Sequence, residues 1–154
     1  VLLTADDLPF GVTDIRSWES VGDPSALVIG SKAHPGSVVP RSKLRAVMSW
    51  GYRFLRRVIL GMTVGDCQGT LFVNRTWLQH HIPLLREHGY LASTEIVHLA
   101  QVDRRRVVEV PVVLQAGHER GGTRIRIADV WDMAVGLVRL RRRRHMLRVA
   151  LKES

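Results

Sequence analysis

The sequence contains one cysteine, few aromatic residues and no long hydrophobic run. Cys67 cannot form an internal disulfide, and none of the seven histidines lies at a zinc-type spacing from it. A disulfide scaffold and a Cys/His zinc site are therefore excluded, and a reducing compartment is favoured. No apolar run reaches the roughly 18 residues that span a bilayer, and the start lacks the basic segment of a signal peptide. We expect a chain that does not itself cross a membrane.

Acidic residues are scarce relative to basic ones. The chain has 14 Asp and Glu against 23 Lys and Arg, for a formal net charge of +9. Most of the basic residues are arginine, whose planar guanidinium contacts phosphate through paired hydrogen bonds. The length of 154 residues and the hydrophobic fraction of 45% are typical of a single globular domain. These values predict one core and an anionic partner.

Short apolar runs bounded by turn residues indicate strands buried in an α/β sheet. They predict strands at 1–4, 26–30, 70–74 and 107–114. Pro111 removes one amide donor from the last strand and therefore predicts an edge position or a bulge there. The first apolar run is already in progress at Val1, so we expect a piece of a longer protein.

Apolar residues at helical spacing predict helices at 43–60, 75–87, 94–102 and 127–140, with a helical turn near 14–19 and a loop at 31–42. Ser42 is a candidate N-cap of the first long helix, and Gly89 a C-cap signal after the second. Six arginines lie between Arg139 and Arg148. Beside an apolar helix, such a run is typical either of a solvated face or of a segment that lies on anionic lipid. The predicted fold is a mixed α/β sheet flanked by helices, with a basic amphipathic helix and tail at 127–154.

Asp6 and Asp7 directly follow the first predicted strand. The carboxyl ends of strands are where open α/β folds bind ligands. Paired carboxylates there suit a hard divalent cation that bridges phosphate oxygens. Taken alone, the pair is more often a solvated turn or a helix cap, and both interpretations stay open.

Several further motifs occur in a fixed order along the chain. They are Gly30-Ser31-Lys32, Arg41-Ser42, Asp66-Cys67-Gln68-Gly69, Gly89 to Glu95, Val108-Glu109-Val110-Pro111-Val112, and Gly122-Thr123-Arg124 with Arg126. In order and spacing the chain resembles the dolichyl-phosphate mannose synthases, the dolichyl-phosphate glucosyltransferases and their bacterial polyprenyl-phosphate relatives. These are family-two glycosyltransferases with a GT-A fold. The resemblance runs from Val1 to about Arg144 and implies that 1–126 is the acceptor-side half of a partial GT-A domain.

The resemblance also implies roles for the acidic and amide residues. Asp7 matches the second aspartate of a metal-binding Asp-x-Asp pair, whose first position here is Ala5, with Asp6 next to it; the metal would be Mg²⁺ or Mn²⁺. Asp66 and Gln68 match the central Asp-Thr-Gln motif and are candidate catalytic residues. Glu95 matches an acidic residue that would face the sugar.

The basic motifs resemble those that grip the phosphate of the lipid acceptor. The candidate phosphate-binding residues are Lys32, Arg41, Ser42, Arg124 and Arg126. The cations Lys32, Arg41 and Arg124 should converge on one cleft. Asp66 and Gln68 would form its floor, with Asp7 at its mouth.

The implied activity is transfer of a hexose, with inversion, from a GDP-mannose or UDP-glucose class of nucleotide sugar to a polyprenyl phosphate. A phosphate nucleophile is largely deprotonated near neutral pH, so catalysis needs positioning and charge rather than a strong base. The family's nucleotide-binding units precede the Asp-x-Asp strand and have no counterpart here. We therefore expect this chain alone to be inactive, either as part of a longer enzyme or as a remnant.

The acceptor's isoprenoid tail stays in the bilayer, so the resemblance implies a peripheral protein at the cytoplasmic face of the membrane. The helix at 43–60 and the C-terminal helix from Ile127 would form one membrane-facing surface beside the cleft, through Leu44, Val47, Phe54 and Ile59 and through Val130, Trp131, Ala134 and Val138. The alternative is that both apolar stripes cover the sheet.

Two other functions are compatible with the composition. A pI of about 11.1 and arginine-rich helices suggest a nucleic-acid-binding module. Aromatic residues make up only 6%, and no helix-turn-helix, RNP or zinc pattern is present, so no nucleic-acid partner is expected. A peripheral membrane remnant without catalysis is the third interpretation.

Overall fold

The computed structural model describes residues 1–4, 13–39, 43–113 and 127–153. It has a four-stranded mixed sheet flanked by helices, which confirms the predicted α/β fold class and is consistent with a partial Rossmann-like fold. The strands are β1 (Leu2–Leu3), β2 (Leu27–Ser31), β3 (Thr70–Phe72) and β4 (Val107–Pro111). All four lie within the segments that the apolar runs predict, apart from a shift of one residue at β2.

The strand order is β1-β3-β2-β4, with β3 antiparallel to both β1 and β2, and β4 parallel to β2. Every residue of β2 is buried, as expected for a strand covered on both faces. Strand β4 is at an edge of the sheet, where the missing amide of Pro111 leaves no ladder bond unmade. The edge position predicted from Pro111 is confirmed.

The helices are α1 (Thr13–Glu19), α2 (Lys43–Leu60), α3 (Arg75–His81), α4 (Tyr90–Val102) and α5 (Ile127–Glu153). The bounds of α2 agree with the sequence pattern. α5 continues well beyond residue 140, where its apolar run ends, because the arginines that follow are good helix formers.

The prediction of one helix over 75–87 is wrong. α3 ends at His81, and a 3₁₀ turn, Ile82–Leu84, follows. Pro83 has no amide to continue the α-helical bonding, and its ring would clash with the preceding turn. Gly89 does not cap α3: it lies directly before α4 with a φ of 57°, a conformation that favours glycine. α4 accordingly begins at Tyr90, earlier than the predicted residue 94.

One large core lies on the helical side of the sheet and includes residues of β2, β3, α2, α4 and α5. α5 contributes Leu137, Leu140 and Leu147 to it. Gly136 lets α5 approach α4 closely, because a Cβ there would overlap the side chain of Leu91.

The division of the chain at residue 127 remains a prediction. None of the helices in the described ranges is long and apolar enough to cross a bilayer.

A smaller cluster covers the other face of the sheet. Ala26, Val28, Phe72 and Val110 are buried there. Trp18 of α1 stacks on Phe72 with ring centroids 5.4 Å apart. The short α1 thus packs on this face of the sheet, against Phe72 of β3 and against β4.

His98 of α4 is buried, and neither ring nitrogen has a hydrogen-bond partner among the described residues. Burial and, to a smaller extent, the positive charges of Arg144 and Arg148 together lower the pKa of His98 to about 4. The unfolded chain binds a proton at pH values between about 6.5 and 4 where the folded chain does not. We expect the free energy of unfolding to fall by up to about 3 kcal/mol as the pH is lowered through this window, with the full value present above 6.5.

Denaturant titrations at several pH values measure this dependence. His98→Leu should flatten the slope between pH 6.5 and 4, since an apolar side chain of similar size takes up no proton. His88→Leu is the matched control: His88 is exposed, and its replacement should leave the slope in place. An equal slope in wild type and His98→Leu would contradict this account.

Candidate functional site

Asp66 lies on a tight turn, residues 65–69, that leads into β3; we call it the Asp66 turn. One carboxylate oxygen of Asp66 accepts the backbone N–H of Lys32 at 3.1 Å, and the other accepts the N–H of Gln68 at 2.9 Å. Lys32 directly follows β2, so Asp66 joins the carboxyl end of the central strand to its own turn. Three of the predicted site residues therefore meet at one end of the sheet.

Two glycines allow the Asp66 turn to approach β2. A Cβ on Gly69 would collide with the carbonyl oxygen of Gly30, so a side chain there would force the strands apart. A Cβ on Gly65 would lie 3.0 Å from the Cβ of Ala33 and 3.2 Å from a carboxylate oxygen of Glu109. The glycines of the Gly-Asp-Cys-Gln-Gly segment are thus required by close packing.

Glu109 of β4 orients the turn from the sheet. Its carboxylate accepts the N–H of Gly65 at 2.8 Å and the N–H of Asp66 at 3.1 Å. Sequence reasoning included Glu109 only as part of a strand motif. The signal that could have identified it is a lone carboxylate in a valine-rich strand, which requires a polar partner when it is packed against the protein.

Arg56 of α2 holds the turn from the other side. Its side chain is only 2% exposed; one guanidinium nitrogen donates to the carbonyl of Gly65 at 3.1 Å and another to the sulfur of Cys67. The guanidinium also lies 5.2 Å from the ring centroid of Tyr52. The sequence pattern gave no indication of this role, because Arg56 is one of several arginines interspersed among the apolar positions of that helix.

Cys67 and Tyr52 stay protonated at neutral pH. Burial raises the pKa of the Cys67 thiol to about 12 and that of the Tyr52 phenol to about 12. The hydroxyl of Tyr52 is 2.9 Å from that of Thr94, which ties α2 to α4 beneath the turn. Cys67 therefore acts as a packing residue that accepts a hydrogen bond, and it is a poor nucleophile.

Gln68 links the turn to the start of α4, where its side-chain amide donates to the carbonyl of Tyr90 at 3.4 Å. The remaining predicted site residues, Asp6, Asp7, Arg41, Ser42, Arg124 and Arg126, lie outside the described residues. The convergence of Lys32, Arg41 and Arg124 on one cleft therefore stays a prediction.

Glu95 of α4 is 1% exposed, and both of its carboxylate oxygens have partners within the chain. One oxygen accepts the N–H groups of Arg86 and Glu87 at 2.8 and 2.7 Å, and the other accepts Nη1 of Arg143 at 2.8 Å. Arg143 donates in addition to the carbonyl of Leu84 at 2.6 Å. Glu95 thus ties the segment before α4 to α5. Its sugar-facing role stays a prediction.

The donors available for a metal ion are carboxylates. Asp6 and Asp7 come just after β1, and their oxygens are the ligand type that Mg²⁺ and Mn²⁺ prefer. Within the ranges that the structure describes, no group of three or more His, Cys, Asp or Glu side chains could hold a metal ion. The donor chemistry fits a hard cation, and the metal remains a proposal.

No family model and no solved structure matches the chain. Among curated proteins, it is 31% identical over 121 residues to the dolichyl-phosphate beta-glucosyltransferase of Saccharomyces cerevisiae. The alignment covers 75% of this chain and 35% of that protein, so the chain spans about a third of its relative's length. An alignment over 75% of 154 residues necessarily includes the middle of the chain, with the Asp66 turn. The chain is a distant relative of a glycosyltransferase, as the order of its motifs suggested.

Proposed function

We propose that this chain is the acceptor-side part of an enzyme that transfers a hexose from a nucleotide sugar to a polyprenyl phosphate. The observation that carries the proposal is the 31% identity to a dolichyl-phosphate beta-glucosyltransferase over a segment that contains the Asp66 turn. Its sugar would be glucose or mannose, from a UDP-glucose or GDP-mannose class of donor.

In the proposed reaction a phosphate oxygen of the acceptor forms a bond to the anomeric carbon of the hexose. The bond from that carbon to the nucleoside diphosphate breaks, and the configuration inverts. The acceptor phosphate needs no strong base, because it is already largely deprotonated near neutral pH. Lys32, Arg41, Ser42, Arg124 and Arg126 would hold it in line for attack.

Asp66 would act by positioning the residues around the acceptor. Its carboxylate holds the backbone of Lys32 and of Gln68, while Glu109 and Arg56 hold the Asp66 turn itself. A site held in this way needs little reorganisation when charge develops in the transition state. Asp6 and Asp7 would hold Mg²⁺ or Mn²⁺, which would neutralise charge on the leaving diphosphate.

The donor would be bound mainly by protein outside this chain. The chain spans about a third of the length of its yeast relative, which leaves room in the relative for a nucleotide-binding portion. We propose that such a portion works with this chain and that the chain alone is inactive.

A location at the cytoplasmic face of the membrane would bring the site to the acceptor. On α2, an apolar stripe of Val47, Trp50, Phe54 and Val58 is exposed, each by more than half of its surface. Trp50 and Phe54 stack with ring centroids 5.7 Å apart. Ile59, expected in this stripe, packs against the core instead. An exposed indole beside arginines suits a membrane interface, and burial of apolar groups there contributes about 0.8 kcal/mol per CH₂.

A transfer assay tests the proposed function. The natural polypeptide that contains this chain is incubated with vesicles carrying polyprenyl phosphate, Mg²⁺ or Mn²⁺, and radiolabelled UDP-glucose or GDP-mannose in parallel. We expect one of the two donors to label the lipid fraction. Vesicles with unphosphorylated polyprenol are the control and should stay unlabelled. Absence of labelled lipid with both donors and both metals would refute the proposal.

A further inference from the structure

A groove runs between the segment that precedes α4 and one side of α5. It has a volume of about 770 Å³, within the range of ligand sites in proteins. Four arginines line it together with two apolar side chains: Arg86, Arg139, Arg142, Arg143, Leu91 and Val135. We call it the arginine groove. In the sequence, Arg139, Arg142 and Arg143 belong to one basic run and Arg86 lies far from it, so nothing local indicates that the four border one cavity.

Two of the arginines are held in place by ion pairs. Arg143 bonds to the buried Glu95 at 2.8 Å, and Arg139 bonds to Glu87 at 2.9 Å. Glu87 is itself largely buried, with 8% of its side chain exposed, so its partner is anchored at the groove wall. These ion pairs neutralise most of the positive charge of Arg139 and Arg143. They also hold both side chains in position at the walls of the groove.

The other two arginines provide the excess of positive charge. Arg86 and Arg142 are exposed and have no ion-pair partner in the part of the chain that the structure describes. The acids in the groove lining are Glu87, which is bound to Arg139, and Asp132. A ligand that enters between Arg86 and Arg142 therefore meets a net positive field, and arginine contacts phosphate through two parallel hydrogen bonds.

The side of α5 next to the groove is apolar and exposed. Trp131 is 70% exposed and Met146 60%, and Val135 and Val138 are exposed in the turns between them. Helical residues three and four positions apart are neighbours, so these side chains lie beside Arg139 and Arg142 along the helix. A tryptophan and aliphatic side chains adjacent to arginines are the composition of a helix in the membrane interface.

We propose that the arginine groove binds the phosphate headgroup of an anionic phospholipid, with the apolar side of α5 against the acyl-chain boundary. The inference deepens the proposed function, on which it rests for the location at a membrane. A bound headgroup would bridge α5 to the segment before α4. Gln68 bonds to the first residue of α4, so the lipid would orient the helix that borders the Asp66 turn.

The test measures binding of the chain to phosphatidylcholine vesicles with and without phosphatidylglycerol, in the absence of polyprenyl phosphate. Arg86→Gln with Arg142→Gln should weaken binding to the anionic vesicles by about thirtyfold, since each of the two cations contributes about 1 kcal/mol at an anionic surface and about 1.4 kcal/mol corresponds to a factor of ten. The matched control, Arg16→Gln with Arg75→Gln, removes the same charge from exposed sites on α1 and α3. It should change the affinity by less than about threefold. Binding to pure phosphatidylcholine should be unchanged in both.

Arg86→Lys with Arg142→Lys keeps the charge and should retain part of the affinity. The midpoint of thermal unfolding should stay close to wild type in the groove variants, because neither Arg86 nor Arg142 has an ion-pair partner among the described residues. Equal weakening by the groove variant and its control would overturn the proposal. It would also be overturned if the groove variant weakened binding to duplex DNA as much as binding to anionic vesicles. The vesicles contain neither sugar donor nor acceptor, so this result is independent of the transfer assay.

Discussion

Replacing Asp66 by asparagine is expected to lower the kcat of the proposed hexose transfer by about 100-fold or more in the natural polypeptide that contains this chain. The carboxylate accepts one N–H on each oxygen, from Lys32 and from Gln68. An asparagine side chain has one acceptor oxygen, so its amide group would face one of these two N–H donors. The end of β2 and the turn would then separate, and the groups proposed to hold the phosphate would lose their alignment.

Initial rates with labelled nucleotide sugar and vesicles carrying polyprenyl phosphate measure this effect. Asp103→Asn is the control for loss of a hydrogen-bonded carboxylate charge far from the turn in sequence: a single oxygen of Asp103 accepts both from Trp77 at 2.7 Å and from Arg105 at 3.3 Å, so an asparagine can keep both bonds and loses only the ion pair with Arg105. It should cost stability and leave the transfer rate of the folded enzyme near wild type. A folded Asp66→Asn enzyme with normal kcat would rule out the positioning role.

Replacing Glu95 by alanine should lower the free energy of unfolding by about 3–5 kcal/mol. Arg143, whose side chain is 16% exposed, would be left without its carboxylate, and the N–H groups of Arg86 and Glu87 would lose their acceptor. A partly buried charge without a partner is costly, since water cannot replace the lost contact. Denaturant unfolding followed by circular dichroism measures the change.

A second ion pair of α5 provides the comparison. Glu87→Ala removes the partner of Arg139, whose side chain is 59% exposed, and should cost about 1 kcal/mol because water screens that pair. Glu95→Leu combined with Arg143→Met should recover much of the loss, because it leaves no buried charge unbalanced. If Glu95→Ala abolished transfer with the stability unchanged, the sugar-facing role implied by the resemblance would be correct and the structural role wrong.

Much of the fold could be predicted from local patterns. The apolar run at 26–30 predicts the buried β2, and Pro111 predicts the edge position of β4. The apolar spacing from Lys43 to Leu60 predicts α2 to the residue. These predictions succeeded because periodicity and the missing amide of proline act within a few residues. The prediction for 75–87 failed where Pro83 ends the α-helix, a local signal that the apolar pattern concealed.

The candidate site shows the limit of such patterns. Glu109 lies 44 residues from Gly65, and the lone carboxylate in β4 indicates that it needs a polar partner but not which one. Arg56 reaches the turn from α2, where the sequence shows it only as one of several arginines among apolar positions. The arginine run from Arg139 to Arg148 likewise gives no sign in the sequence of which arginines are exposed and which are buried. In the structure Arg141 and Arg142 are exposed, whereas Arg143 and Arg144 are partly buried and face α4 or the start of the 61–65 segment.

The sequence by itself determined the strands and most helices, the excess of positive charge and the order of motifs that points to glycosyl transfer to a lipid phosphate. Only the tertiary structure decided which charged side chains support the Asp66 turn and which arginines border a groove. It also decided that Glu95 connects α4 to α5 through its ion pair with Arg143. The reason is physical: the free energy of a charged side chain depends on its burial and on the partner it meets. Both depend on residues that are distant in the chain and become neighbours only when the sheet and its helices have packed.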